Sequence, residues 1–122
     1  MQTWLQNLDL LIRSRTPLIW IKSKEEERLF RVLQSVSKRL NKKRIISWDC
    51  VNGIQGSLND EKKFANNPRG ILNWINEQNN SVSTILLLKD FHKFYEDPTI
   101  SRTIKELSFS LKETTHNIIF SS

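Results

Sequence analysis

The stretch Thr84-Ile85-Leu86-Leu87-Leu88-Lys89-Asp90-Phe91 limits this chain more than any other. Ile85 to Leu88 is an unbroken apolar run between polar ends, introduced by β-branched Thr84. A run that short, with no polar face, suits a strand covered on both sides, as in the middle of a parallel sheet. It stops abruptly at Lys89-Asp90. In open α/β sheets the carboxyl ends of such strands line the ligand crevice. Asp90 is therefore the first position to test as a magnesium carboxylate.

The rest of the chain supplies the partners such a strand needs. Residues 3–13 have helical spacing, with Leu5, Leu8, Leu11 and Ile12 on one face. Thr16-Pro17 ends that helix, because a residue before proline is pushed out of the helical region. Leu18-Ile19-Trp20-Ile21 reads as the first strand. A nucleotide-binding domain would follow it with Gly-x-x-x-x-Gly-Lys-Ser/Thr. This chain has Lys22-Ser23-Lys24-Glu25-Glu26-Glu27, with no glycine to let amides close on a phosphate and three carboxylates to repel one. Ser23 and Glu26 instead form a capping-box pattern. The helix they open runs to Leu40, with Leu29, Val32, Leu33, Val36 and Leu40 inward.

Arg44-Ile45-Ile46-Ser47-Trp48 is the second strand and ends in Asp49-Cys50. A polar connection with a short helix near 60–65 leads to a helix over 69–78, carrying Ile71, Leu72 and Ile75. After the central strand, Asp97-Pro98 opens another helix, with Ile100, Ile104, Leu107 and Leu111 as its stripe. Asn117-Ile118-Ile119-Phe120-Ser121-Ser122 is a fourth strand. Short apolar strands alternating with helices mean βαβ units and a parallel sheet.

Composition excludes several alternatives. With 38% hydrophobic and 26% charged residues, the 122-residue chain suits one globular domain rather than a disordered segment. No apolar run approaches a membrane span, and Asp9 and Arg13 interrupt what would otherwise resemble a secretory signal. The lone Cys50 excludes an internal disulfide and fits a reducing compartment. The net charge of +6 permits an acidic partner without identifying one. A single alanine among many Asn, Ile and Lys suggests AT-rich coding, as in organelle genomes.

Four stretches, in this order and spacing, carry a resemblance. They are Leu10-Leu11-Ile12-Arg13-Ser14-Arg15-Thr16-Pro17-Leu18-Ile19, Glu25-Glu26-Glu27-Arg28-Leu29, Trp48-Asp49 with Gly53, and Leu87-Leu88-Lys89-Asp90-Phe91-His92. Together they resemble the N-terminal region of an uncharacterised AAA-type ATPase family, the hypothetical chloroplast reading frame family of cyanobacteria and algal plastid genomes. The resemblance implies an accessory, degenerate P-loop-like domain of a longer plastid or cyanobacterial ATPase with links to photosynthesis regulation. It places the protein in the plastid stroma or the cyanobacterial cytoplasm. It implies ATP and magnesium for a downstream AAA module and none for this segment.

On that basis residues 1–122 form one α/β domain, an N-terminal accessory domain or a fragment of something longer. The expected fold is a three-layer RecA/AAA-like one: a parallel four-stranded sheet near 18–22, 44–48, 84–89 and 117–121, in order 2-3-4-1. The unpaired first strand and uncovered last strand predict self-association. The residues agree on degeneracy: aligned on a magnesium-binding strand, Lys89 falls where the carboxylate belongs and Asp90 comes one position late. A cation there opposes Mg²⁺. His92 and His116 are too far apart in sequence to suggest a metal pair. No catalytic, cofactor or metal residue is assigned, and no small-molecule ligand is expected.

Two function classes remain. The favoured one is a non-catalytic interaction or assembly domain working through the strand-end residues Trp48, Asp49, Lys89, Asp90, Phe91 and His92. The alternative is a small nucleic-acid-binding module using Lys38, Arg39, Lys42, Lys43 and Arg44. That cluster lacks interleaved aromatics for base stacking, and its cations also suit a helix C-terminus.

Overall fold

The computed structural model describes residues 7–8, 10–12, 14, 16–22, 25–39, 43–56, 63–78 and 82–121. A helical segment within residues 7–12 comes first, and the Ser14 and Thr16 amides close its end on the Leu10 and Leu11 carbonyls at 2.9 and 3.0 Å. Five strands follow: β1 (Leu18–Ile21), β2 (Arg44–Asp49), β3 (Gly53–Gly56), β4 (Thr84–Lys89) and β5 (Asn117–Ser121). Between them lie α1 (Glu26–Arg39), α2 (Pro68–Asn76) and α3 (Pro98–Ser110). Short 3₁₀ turns follow β4 at Phe91–Phe94 and α3 at Leu111–Glu113.

The strands form one sheet in the order β1-β5-β4-β2-β3. β1 pairs with β5, β5 with β4 and β4 with β2, all parallel. β3 pairs antiparallel with β2. The four-stranded, wholly parallel sheet of order 2-3-4-1 is thus corrected: among the described residues the sheet has five strands and is mixed. The additional strand lies in the stretch read as a polar connection. Its cause is a tight reversal. Asp49 accepts from the amides of Val51 and Asn52 at 2.9 and 2.7 Å, and Gly53 takes a φ of 70°, which a side chain disfavours. Ile54 then returns into the core, its amide donating to the Lys63 carbonyl at 2.9 Å. Of the helix expected near 60–65, residues 63–65 lie in a turn and 60–62 fall outside the described residues.

The sheet divides the apolar interior in two. Side chains alternate across each strand, so Ile19, Ile85, Leu87 and Ile119 face one side. There they meet Leu29, Leu33 and Val36 of α1 and Leu8 and Ile12 of the N-terminal segment. Ile46, Trp48, Ile54, Leu86, Leu88, Ile118 and Phe120 face the other side, under α2 and α3. Both of those helices are capped as their sequences require. Asn67 accepts from the Gly70 amide at 2.9 Å and Asp97 from the Thr99 amide at 2.8 Å, each followed by a proline in the first turn. The stripes Ile71, Leu72, Ile75 and Ile100, Ile104, Leu107, Leu111 are buried. Leu11, expected inward, is instead exposed, because Leu8 and Ile12 already fill that face. Leu5, Ser23 and Leu40 lie outside the described residues.

Candidate functional site

The carboxyl ends of β2 and β4 open onto a shallow cleft of about 550 Å³ under the start of α1. Glu26, Asp49, Gln55, Lys89, Asp90 and Lys93 contribute to its wall. An adjoining cleft of about 590 Å³ continues along α1, past Glu27 and Arg31. Glu26 and Glu27 occupy the first turn of α1, where carboxylates complement the positive end of the helix. The place that would offer amides to a phosphate therefore presents negative charge. Among the described residues no group of three His, Cys, Asp or Glu side chains converges on a metal-sized site.

The strand-end residues divide into two sets. Trp48 and Phe91 are buried completely and belong to the core, so they present no surface. They begin an aromatic chain that crosses the sheet. Trp48 meets Phe91 at 5.6 Å between ring centroids, Phe91 meets Phe120 at 5.6 Å, and Phe120 stacks on Trp20 at 4.0 Å. Trp20 ends this chain at the free edge of the sheet, half exposed, with Tyr95 packed edge-on against it at 5.6 Å. Asp49, Lys89, Asp90 and His92 remain at the surface. Asp49 is occupied by the β2–β3 turn, where its second oxygen also accepts from the Asn52 side chain at 3.2 Å. Asp90 adopts a left-handed conformation, φ 56°, and its amide donates to the Ser121 carbonyl at 2.8 Å. That bond ties the end of β4 to the end of β5 and leaves the Asp90 carboxylate turned outward, without a capping bond.

The basic cluster is also divided. Lys38 and Arg39 are exposed at the last turn of α1, and Lys42 lies outside the described residues. Lys43 turns inward, its ammonium donating to the Thr115 carbonyl at 3.0 Å and to Asn117 Oδ1 at 2.7 Å. Arg44 donates to the Thr84 hydroxyl at 2.9 Å and to Gln78 Oε1 at 3.0 Å, and lies over the Trp74 ring at 5.4 Å. Two of the five cations are thus spent on holding the amino ends of the strands. Sequence reasoning missed Asn52 and Gln55 of the hairpin and the exposed Trp20–Tyr95 pair. The Gly53-Ile54-Gln55-Gly56 alternation was the one signal for the hairpin.

Residues 4–122 match the family model described as the SpoVK-like AAA ATPase, N-terminal domain. The chain belongs to that family. Its relatives include proteins called "Uncharacterized AAA domain-containing protein ycf46" from three algae. The Gracilaria tenuistipitata var. liui protein is 37% identical, covering 95% of this chain and 24% of its own length. The Pyropia yezoensis protein is 32% identical, over 96% of this chain and 24% of its own length. The Guillardia theta protein is 31% identical, over 96% and 23%. The chain therefore spans about a quarter of the length of these relatives, which are encoded in plastid genomes. No solved structure matches the chain. No helix among the described residues is long and apolar enough to cross a membrane.

Proposed function

We propose that this chain is a non-catalytic interaction domain of an AAA-domain ATPase, and that ATP and magnesium belong to the AAA module of such a protein. The observation that carries this reading is the chemistry of the cleft. Glu26 and Glu27 line the cleft at the start of α1, where carboxylates disfavour a phosphate, and Lys89 lines it beside them, where a cation disfavours magnesium. What the cleft does offer is an open surface of interspersed charge, Asp49, Lys89, Asp90 and Lys93, at and just past the strand ends, with His92 exposed on the turn beside it. Such a surface suits the polar rim of a protein contact. Kinship with plastid-encoded proteins supports a place in the plastid; the stroma, or the cytoplasm of a cyanobacterium, and a part in the regulation of photosynthesis are the finer terms of the same proposal.

Two titrations by calorimetry test this. ATP with magnesium should give no saturable heat with the 122-residue chain. The isolated AAA module of the Gracilaria relative should bind the chain, and the double variant Lys89→Glu, Asp90→Lys should weaken that binding by about tenfold or more. Micromolar ATP binding by the chain overturns the non-catalytic reading. Full binding by the double variant moves the contact away from the strand ends.

A further inference from the structure

We infer that His116 is the proton-sensitive closure of a polar clasp that ties together the amino ends of the four parallel strands. His116 is 1% exposed and precedes β5. Its Nδ1 lies 3.2 Å from the amide nitrogen of Thr84, the first residue of β4. An amide N–H can only donate, so Nδ1 must hold a lone pair. Its Nε2 lies 3.3 Å from the carbonyl oxygen of Gln78, just past α2. A carbonyl can only accept, so Nε2 must carry the proton. The two partners together select one neutral tautomer. A second proton would set N–H against N–H at Thr84.

The surroundings make that second proton costly. Lys43 and Arg44, leading into β2, are the cations that act on the ring. Just past the 3₁₀ turn before β5, the Thr114 hydroxyl accepts from the His116 amide at 3.1 Å, and Lys112 within that turn is exposed. Glu77 and Glu113, the nearest acidic residues in sequence, are exposed and not bonded to the ring. Burial is the largest influence and holds the imidazole below its ordinary value of 6.5; the Gln78 carbonyl pulls upward, while Arg44 and Lys43 push down. As pH falls, the unfolded chain takes the proton first. The stability held by neutral His116 is therefore complete above 6.5 and is lost as pH drops from there through the lower folded value.

The clasp extends beyond the ring. Arg44 joins Thr84 to Gln78, and Lys43 joins Thr115 to Asn117. Asn117 in turn donates to the Thr16 carbonyl at 2.8 Å, at the start of β1. The segments leading into β1, β2, β4 and β5 are thus bound in one network. Protonation would break it at the Thr84–His116 bond and place a third cation near Lys43 and Arg44.

Nuclear magnetic resonance on the 122-residue chain tests the inference through the His116 ring and the Thr84 amide. Between about pH 7.5 and about pH 5, the protection factor of the Thr84 amide should fall on the order of tenfold. His116→Gln keeps one acceptor and one donor but cannot titrate, so its Thr84 protection should stay level over that range. A wild-type Thr84 protection that does not change, or one that falls equally in His116→Gln, overturns the inference. Should His116→Gln not fold, the wild-type ring decides: protonation below 6.5 sustains the clasp, and protonation at or above 6.5 overturns it.

Discussion

Trp48 shows how much of this domain rests on single side chains. Its ring lies wholly in the core beneath α2 and α3, and its Nε1 donates to the Phe64 carbonyl at 2.9 Å. Phe64 itself has a φ of 65°, a left-handed conformation that costs a bulky residue about 1–3 kcal/mol. The indole N–H therefore helps to hold a strained turn as well as fill a cavity. Trp48→Phe keeps most of the volume but strands that carbonyl, and should cost about 1–3 kcal/mol. Trp48→Ala also opens a cavity and should cost about 3–5 kcal/mol. Urea unfolding checks both; a loss for Trp48→Phe within error of zero would mean the indole bond contributes nothing. In the sequence, Trp48 and Phe91 stand beside Asp49 and Asp90 and so look like surface. Strand alternation decides otherwise: Trp48 points to the face opposite Ser47, where its polar partner lies sixteen residues further on. A long-range bond of that kind leaves no local signal.

At the level of elements, helices were more legible than strands. The stripe Ile100, Ile104, Leu107, Leu111 and the Asp97-Pro98 start are local features, and α3 follows them. β3 was not legible, because four residues bounded by glycines read equally well as a loop. The helix starts also carry demands that sequence states only in part. Gly70, in the first turn of α2, leaves no room for a side chain. A methyl group there would collide with the Asn67 side chain and come within 2.6 Å of the Phe64 ring. Gly70→Ala should thus lose the Asn67 cap despite alanine's better helix propensity, and destabilise the domain by about 0.5–2 kcal/mol. Thermal melting checks the sign. A melting temperature equal to or above that of the parent would mean that Asn67 and Phe64 move aside at no cost.

On the scale of the whole molecule, the sheet ends at the short hairpin strand β3 on one side and, among the described residues, at a bare edge on the other. β1 stands at the bare edge, with Trp20 half exposed beside Tyr95. Unpaired strand edges and exposed aromatic surface invite another chain. The 122-residue chain should therefore self-associate as its concentration rises, and Trp20→Lys should suppress this by adding charge to the edge. Light scattering across a dilution series is the measurement. A parent protein that stays monomeric at the highest concentration would show the edge to be inert. The α/β class and the helical layers could be read from apolar periodicity, whereas the mixed five-stranded sheet depended on the Asp49 turn and on Gly53. Those act through side-chain geometry and a backbone angle, which periodicity does not record.

The pairing of β1 with β5 has a mechanical consequence. These are the first and last strands of the sheet, and they run parallel as immediate neighbours, from Leu18 opposite Ile118 to Ile21 opposite Ser121. A pull applied before Leu18 and after Ser121 acts at opposite ends of that pair. Its hydrogen bonds then lie across the direction of the force and must yield together, rather than one after another as in a zipper. A domain wired in this way transmits tension through its own seam before it gives way.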